Sequence, residues 1–173
     1  MKVSEELLDV VDEDDNVIEV KTRGEIHARG LMHRAVHILV FNKRGDLFLQ
    51  KRSLNKDENP GLWDSSAAGH VDSGEEYRHC ALREITEELG IVVEGELQRL
   101  FKLAATRATG YEHCVIYRYR FDGPLILQKE EIDEGQWISP GEMDQRLESR
   151  DTRMTEVLYL IWEEFRKPHL GSN

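Results

Sequence analysis

The sequence predicts an α+β fold, a mixed β-sheet sandwiched by helices. Three observations carry that reading. Apolar runs of strand length outnumber the segments with helical period. Strand-like and helix-like segments do not alternate in the regular βαβ manner of a doubly wound sheet. No internal repeat or Pro/Ser/Gly-rich linker divides the 173 residues, so 1–173 reads as one domain, long enough to bury a full core.

The elements follow in order. "LLDVVDEDDNVIEVKTR" reads as two short strands around an acidic turn from Asp12 to Asn16. "TRGEIHARG" is a brief helical or irregular piece. "RAVHILVFNKRGDLFLQKRS" is a hairpin whose turn, Asn42 to Asp46, uses the permissive backbone of Gly45. "LNKDENPG" is a loop and "LWDSSAAG" a short strand. Residues 75–89 form a stretch without Pro or Gly, closed by Gly90, and read as a helix. "IVVEGELQRLFKLAATRATG" and "YEHCVIYRYRFDG" are strands, the second alternating Val115, Tyr117, Tyr119 and Phe121 with Ile116, Arg118 and Arg120. "EIDEGQWISP" is a strand stopped by Pro140. Ser139 caps the next helix, with Pro140 in its first turn. The last helix, from about Asp151 to Lys167, carries Met154, Val157, Leu158, Ile161, Trp162 and Phe165 at i, i+3, i+4 spacing. That stripe reads as core packing, or in part as the face of a homodimer.

Composition narrows the function. No apolar run reaches the length of a membrane span and no basic-then-apolar leader opens the chain, which points to a cytoplasmic protein with no membrane partner. Cys80 and Cys114 read as free, partly buried thiols. The net charge of −11, without a basic block, disfavours nucleic-acid polymers. It would equally repel a bare diphosphate, so a phosphate-ester substrate would need a divalent ion held by carboxylates.

Such carboxylates stand in "GHVDSGEEYRHCALREITEELGI", residues 69–91. At about 100° per residue, Glu84 and Glu88 lie roughly 40° apart and Glu87 roughly 60° to the other side. Leu82, Ile85 and Leu89 form an apolar stripe opposite. Like charges at these spacings destabilise an isolated helix by a few tenths of a kcal/mol per pair, a cost that Mg²⁺ or Mn²⁺ would reverse. Arg83, four residues before Glu87, can orient one carboxylate. Glu75 lies half a revolution out of phase and reads as structural support at the helix start. Gly69 and Gly74 permit a tight loop. Taken alone, three glutamates read as a solvated acidic face. The full pattern does not: G-x5-E-x7-R-E-[aliphatic]-x-E-E-x-G-[aliphatic] is matched by Gly69, Glu75, Arg83, Glu84, Ile85, Glu87, Glu88, Gly90 and Ile91. Chance supplies such a match on the order of once in 10⁸ positions.

This pattern is the Nudix box, and the chain resembles the Nudix hydrolase superfamily over most of its length. The resemblance implies a Nudix α/β/α sandwich and metal-dependent hydrolysis of a nucleoside diphosphate linked to another moiety. Carried onto matching positions, Glu84 and Glu88 are the main metal ligands, Glu87 a ligand directly or through water, and the Gly69 carbonyl a contributor. The general base comes from the box helix or from outside it, where Glu112, Glu131 and Glu134 are candidates. Lys51, Arg52 and His70 are candidates for phosphate or substrate binding, the first two against the plainer reading as exposed strand-end charges.

"HRAVHILVFNKRGDLFLQKRS", "PGLWDSSAAGHVDSGE" and "EEIDEGQW" are similar, more closely, to the isopentenyl diphosphate isomerase branch. That branch places a catalytic cysteine just before the Gly-His of the box and binds metal partly through upstream histidines. Here Gly69-His70 is kept, and His27, His33, His37 and Glu112 stand in similar places, but the cysteine position is Ala68. Alanine cannot protonate an alkene, and the hydrolase box is intact, so the balance falls on hydrolysis. His27, His33 and His70 are open between a residual metal set and other roles, and His37 reads as a hydrogen-bonded core residue. The alternatives are an isomerase-like enzyme and a non-catalytic module that senses a nucleotide. Trp63, Phe101, Tyr111 and Trp137 are candidates to line the pocket, against the plainer reading as core.

Overall fold

The computed structural model describes residues 2–168; Met1 and residues 169–173 of the expected single domain lie outside the described residues. Its centre is β3 (His33–Phe41), which runs parallel to β8 (Glu112–Arg120) and antiparallel to the short β6 (Ala67–His70). β7 (Gln98–Leu103) pairs with the outer edge of β8. Because β3 is covered on both faces, it is a nearly continuous apolar run, as buried parallel strands are. Val36, Ile38 and Val40 join Val115 and Tyr117 in one core. Ala35 and Leu39 join Cys114 and Ile116 in the other.

Each face has its own helices. The box helix α2 (Tyr77–Leu89) packs Cys80, Ala81, Ile85 and Leu89 against the first core. On the second, α3 (Pro140–Ser149) supplies Met143, and α4 (Glu156–Phe165) supplies Leu158, Ile161 and Trp162. The result is the α+β sandwich with a mixed sheet that the sequence predicts. Ser139 caps α3 by accepting from the Glu142 amide. The last helix starts five residues later than its apolar stripe suggests. Thr155 is its cap, Asp151 bonds the Arg153 amide in the turn before it, and Met154 enters the core from that turn.

The expected hairpin after His33 also needs correction. β3 and β4 (Leu47–Arg52) share only the pair Phe41–Leu47 and then diverge. The reason is competition for the edge: β6 takes β3 from Ala35 to Ile38, so β4 pairs instead with β9 (Ile132–Ile138) and β5 (Trp63–Asp64). Polar side chains bridge the split. Ser66 Oγ accepts from the Val40 amide at 2.8 Å, and Gln50 Nε2 donates to the Ser66 carbonyl at 3.2 Å. This parting of the sheet is the cleft into which the box helix projects.

The N-terminal elements form a separate layer. β1 (Leu7–Val11) and β2 (Val17–Thr22) are an antiparallel pair around the expected acidic turn, and "TRGEIHARG" resolves as α1 (Arg23–Arg29). Leu8, Val10 and Ile26 make a small core of their own. No helix among the described residues is long and apolar enough to cross a membrane.

Candidate active site

The box helix opens after Gly74, whose φ of +79° suits glycine, and ends on Gly90 in the left-handed region at φ +67°. Its acids do not share one environment. Glu87 is half exposed (side chain 51%), Glu84 is mostly covered (13%), and Glu88 is buried at 4%. The helical wheel puts all three on one solvent-facing side, but the split sheet brings the polar cleft around that side. Leu82, on the expected apolar stripe, is only partly covered, and Cys80 and Ala81 fill its place in the core.

Glu88 Oε2 accepts from Gln50 Nε2 at 2.8 Å and from the Ala68 amide at 3.2 Å. Glu84 lies directly on Gly69: a Cβ there would sit 2.1 Å from Glu84 Oε1. Arg83 donates through Nη1 to Glu84 Oε1 at 2.8 Å, stands 3.5 Å from Glu87, and is held by Glu75 through Nε and Nη2 at 3.0 and 2.9 Å. Burial, with the neighbouring Glu87 adding to it against Arg83, pushes the Glu84 carboxyl up to about 7. Burial and then the charge of Glu84 push Glu88 well above the usual carboxylate range. Two adjacent carboxyls that resist ionisation for want of counter-charge, set on a glycine cradle, fit a hard divalent cation.

A second cluster lies in the same cleft. Among the described residues, two groups bring three or more potential ligand atoms within 4.8 Å of one another: His27, His33, His70 and Glu112, and His37, Glu112 and Cys114. In the first, the three imidazole centroids are 5.0 to 5.3 Å apart. His70 Nε2 bonds Glu112 Oε1 at 2.9 Å. His33 Nε2 is 3.4 Å from the same oxygen without hydrogen-bond alignment, and it and His27 Nε2 are buried without a partner. His33 Nδ1 faces the Leu31 carbonyl at 2.9 Å, which leaves Nε2 turned to the cluster. Burial, then the charge of His70, lowers His27 to about 4, so its ring is neutral with a lone pair to offer. Burial works to raise Glu112, but the adjacent His33 and His70 imidazoles outweigh it and hold the carboxyl well below its usual range. A three-nitrogen, one-oxygen set fits a borderline cation such as Zn²⁺ better than the hard ions Mg²⁺ and Mn²⁺.

The box acids Glu84, Glu87 and Glu88 line one cavity of about 1060 Å³ together with His37, and from the second cluster His70 and Glu112 reach it while His27 and His33 lie behind its lining. His37 bonds Ser65 Oγ at 2.7 Å, so it is both a satisfied core residue and a cavity wall. Strand alternation separates Lys51 from Arg52. Arg52 lines the cavity, where it donates to the Glu58 carbonyl. Lys51 does not line it and stands 3.9 Å from Glu134, which is likewise outside the lining. Glu131 lines the cavity and is ion-paired to Lys56. Lys56 and Arg23 are cavity cations that the sequence reading missed; Arg23 is anchored to Asp57 by two bonds of 2.8 and 2.9 Å. Neither lies in the box or at a strand end, and only the folding of loop 53–61 and α1 against the cleft reveals them. The expected aromatic lining is corrected too. Trp63 and Phe101 pack on the second core, Trp137 packs on Phe48, and Tyr111 lines a different, apolar cavity.

Comparison with known proteins agrees with this geometry. The NUDIX domain family matches residues 31–158. "Uncharacterized Nudix hydrolase PA4841" of Pseudomonas aeruginosa is 40% identical over 138 residues, 78% of this chain and 79% of its own. "Isopentenyl-diphosphate Delta-isomerase 2" of Photorhabdus laumondii is 33% identical over 138 residues, 78% of each chain. The crystal structure of DR0079 from Deinococcus radiodurans superimposes with a TM-score of 0.84 at 26% identity, covering 94% of this chain and 100% of that one.

Proposed function

The chain belongs to the NUDIX family and is a pyrophosphohydrolase, and from that premise we propose that it cleaves the diphosphate of a nucleotide-derived small molecule with Mg²⁺ or Mn²⁺ at the box. The observation that carries this reading is the covered pair Glu84 and Glu88 against Gly69 and the Ala68 amide, both pushed toward the protonated state by burial and by neighbouring carboxylates. Glu84 and Glu88 would hold the ion, with Glu87 at its exposed side and the Gly69 carbonyl nearby. When bound, the ion supplies neutralisation of the diphosphate and acidifies attacking water.

The chain's own groups divide the remaining work. Arg52 and Lys56 face the cavity and can take phosphate oxygens. Of the three outside carboxylates, Glu131 suits the general base best, since its partner Lys56 sits on a loop and can turn to the phosphate. Glu112 is committed to His33 and His70, and Glu134 lies outside the cavity. The histidines and Glu112 would hold a second cation of the borderline class. Isomerisation is disfavoured because the cavity wall at 68 is a methyl group, while Cys80 is buried against the His70 carbonyl.

The test is a panel of nucleoside diphosphate derivatives with Mg²⁺ and Mn²⁺, read as phosphate products, with Glu88→Gln as control. Deuterium uptake into isopentenyl diphosphate, with no hydrolysis across the panel, would replace this reading by isomerisation. Tight binding of one nucleotide without turnover would replace it by sensing.

A further inference from the structure

The hairpin β1–β2 and helix α1 precede the matched residues 31–158, yet the hairpin grips the loop that opens the box. The Ser73 amide donates to the Leu7 carbonyl at 2.9 Å, and Leu8 forms an isolated antiparallel bridge with Asp72. One side chain does most of the holding. Asp9, 7% exposed, accepts from Ser73 Oγ at 2.7 Å through Oδ1 and from the Gly74 amide at 3.2 Å through Oδ2. Gly74 then delivers Glu75, whose carboxylate accepts from the Asp72 amide at 3.0 Å and receives the Arg83 fork. Arg83 in turn reaches Glu84 at 2.8 Å and Glu87 at 3.5 Å.

We propose that Asp9 is a positioning residue for the box: by fixing Ser73 and Gly74 it aims Glu75 at Arg83, and so sets the two outer carboxylates for a divalent ion. The proposal rests on the reading of the box as a metal site. A plain anchoring role for Asp9 would be redundant. Asp15 already ties the hairpin down, accepting from Arg34 Nε at 2.6 Å and from Tyr77 Oη at 2.8 Å. Asp9, by contrast, stands 3.9 Å from Arg34 and spends its hydrogen bonds on the loop. Asp9 is three contacts from Glu84, through Gly74, the Glu75–Arg83 fork and the Arg83–Glu84 bond. Losing a group bonded directly to a ligand costs roughly 10–100-fold in metal affinity, and the lower end of that range is expected for a relay of this length.

The experiment uses the full chain and reads Mn²⁺ affinity by electron paramagnetic resonance, beside amide exchange in the metal-free protein. Asp9→Ala is expected to weaken Mn²⁺ binding about tenfold and Ser73→Ala about threefold. Combining Asp9→Ala with Glu75→Gln should weaken it no further than Glu75→Gln alone, because both cut one relay. Without metal, the Gly74 and Glu75 amides should exchange faster in Asp9→Ala while those of β3 do not change. Asp9→Glu, which keeps the acceptor, should recover part of the affinity. If Asp9→Ala fails to fold, Ser73→Ala and Asp9→Asn carry the same comparison. Unchanged Mn²⁺ affinity in folded variants, or full additivity with Glu75→Gln, overturns the proposal. Wild-type protein that binds no Mn²⁺ at all instead removes the metal reading of the box, and the exchange of Gly74 then reports only whether Asp9 orders the loop.

Discussion

The cleft holds two clusters of potential metal ligands that differ in how they are charged before any ion arrives. At the box, Glu84 and Glu88 face each other's charge with one guanidinium, Arg83, shared among Glu75, Glu84 and Glu87. At the histidine cluster, a single carboxylate is matched by imidazoles, and Glu112 is stabilised as the anion. The first is frustrated without a cation and the second is nearly self-sufficient. The difference teaches that an ion would stabilise the box far more than the histidines, and that losing a box acid relieves the metal-free fold while losing Glu112 harms it.

The largest expected effect tests that asymmetry directly. Glu88→Gln should lower hydrolysis by at least about 100-fold, on the scale of losing a key charged group in an active site, yet leave the metal-free protein as stable or more so. Glu112→Gln should do the reverse to stability, lowering it by roughly 2–3 kcal/mol, because it takes the carboxylate from its hydrogen bond with His70 and from beside the buried His33 ring. Chemical denaturation of both variants without metal checks the pair. Equal destabilisation by the two would erase the distinction between the clusters.

Next in size is a steric test. Gly69 has ordinary backbone angles, so Gly69→Ala introduces only a methyl group, placed 2.1 Å from Glu84 Oε1. The side chain of Glu84 must turn away, and hydrolysis should fall about tenfold or more from the misplaced ligand. Binding at the histidines should not move, since His70 presents its ring on the other side of that residue. Crystals of the variant showing Glu84 undisturbed, or turnover equal to wild type, would mean that Gly69 is not the cradle.

These tests also mark what the sequence could disclose. The box was legible because its residues are close in sequence, and helical geometry alone gathers Arg83, Glu84, Glu87 and Glu88. The sandwich was legible for a similar reason, from apolar period and from caps such as Ser139. The histidine cluster was not legible from spacing, and only the resemblance raised it as one of two readings, because α1, β3, β6 and β8 each contribute one member, and it is the parallel pairing of His33 with Glu112 and the antiparallel pairing of Ala35 with His70 that bring three of them together. Nor does local pattern show that β4 deserts β3 after one pair, which is what buries Glu88 on a helix face that periodicity assigns to solvent. Trp63, Phe101 and Trp137 read as pocket residues by position and turned out to be packing, since nothing in a strand's sequence says which of two covered faces is the cavity.

pH separates the clusters with a smaller effect. A carboxyl raised in the folded state binds protons that the unfolded chain has already released, so its contribution is full below the unfolded value and is lost as pH rises through the folded one. For Glu84 that window runs from about 4.5 to about 7. The metal-free protein should therefore lose on the order of 3 kcal/mol or less between pH 5 and 8 from this group, and saturating Mn²⁺ should flatten the profile. Glu84→Gln should remove this part of the fall without metal and leave the part due to the burial of Glu88. Glu112, lowered in the fold, contributes in the opposite sense, fully present above its ordinary range and lost only as acid reaches its depressed value. A metal-free profile that does not fall between pH 5 and 8 would mean that the box carboxyls are not frustrated.

The smallest effect falls on His27, and it discriminates between a metal set and a chance gathering of rings. His27 is neutral at pH 7, and among the described residues its Nε2 has no hydrogen-bond partner while Nδ1 stands 3.3 Å from Glu58. If the ring is there only to pack, His27→Ala should cost a cavity and nothing else. If it is there as a donor, the metal-free fold should lose under about 1 kcal/mol, while Zn²⁺ affinity, measured by competition with a chromophoric chelator, drops at least about tenfold. Mn²⁺ at the box should be unaffected, because the box acids and His27 share no contact. A stability loss well above that range with no change in Zn²⁺ affinity would reduce the histidine cluster to packing and leave the box as the one cation site with a physical argument behind it.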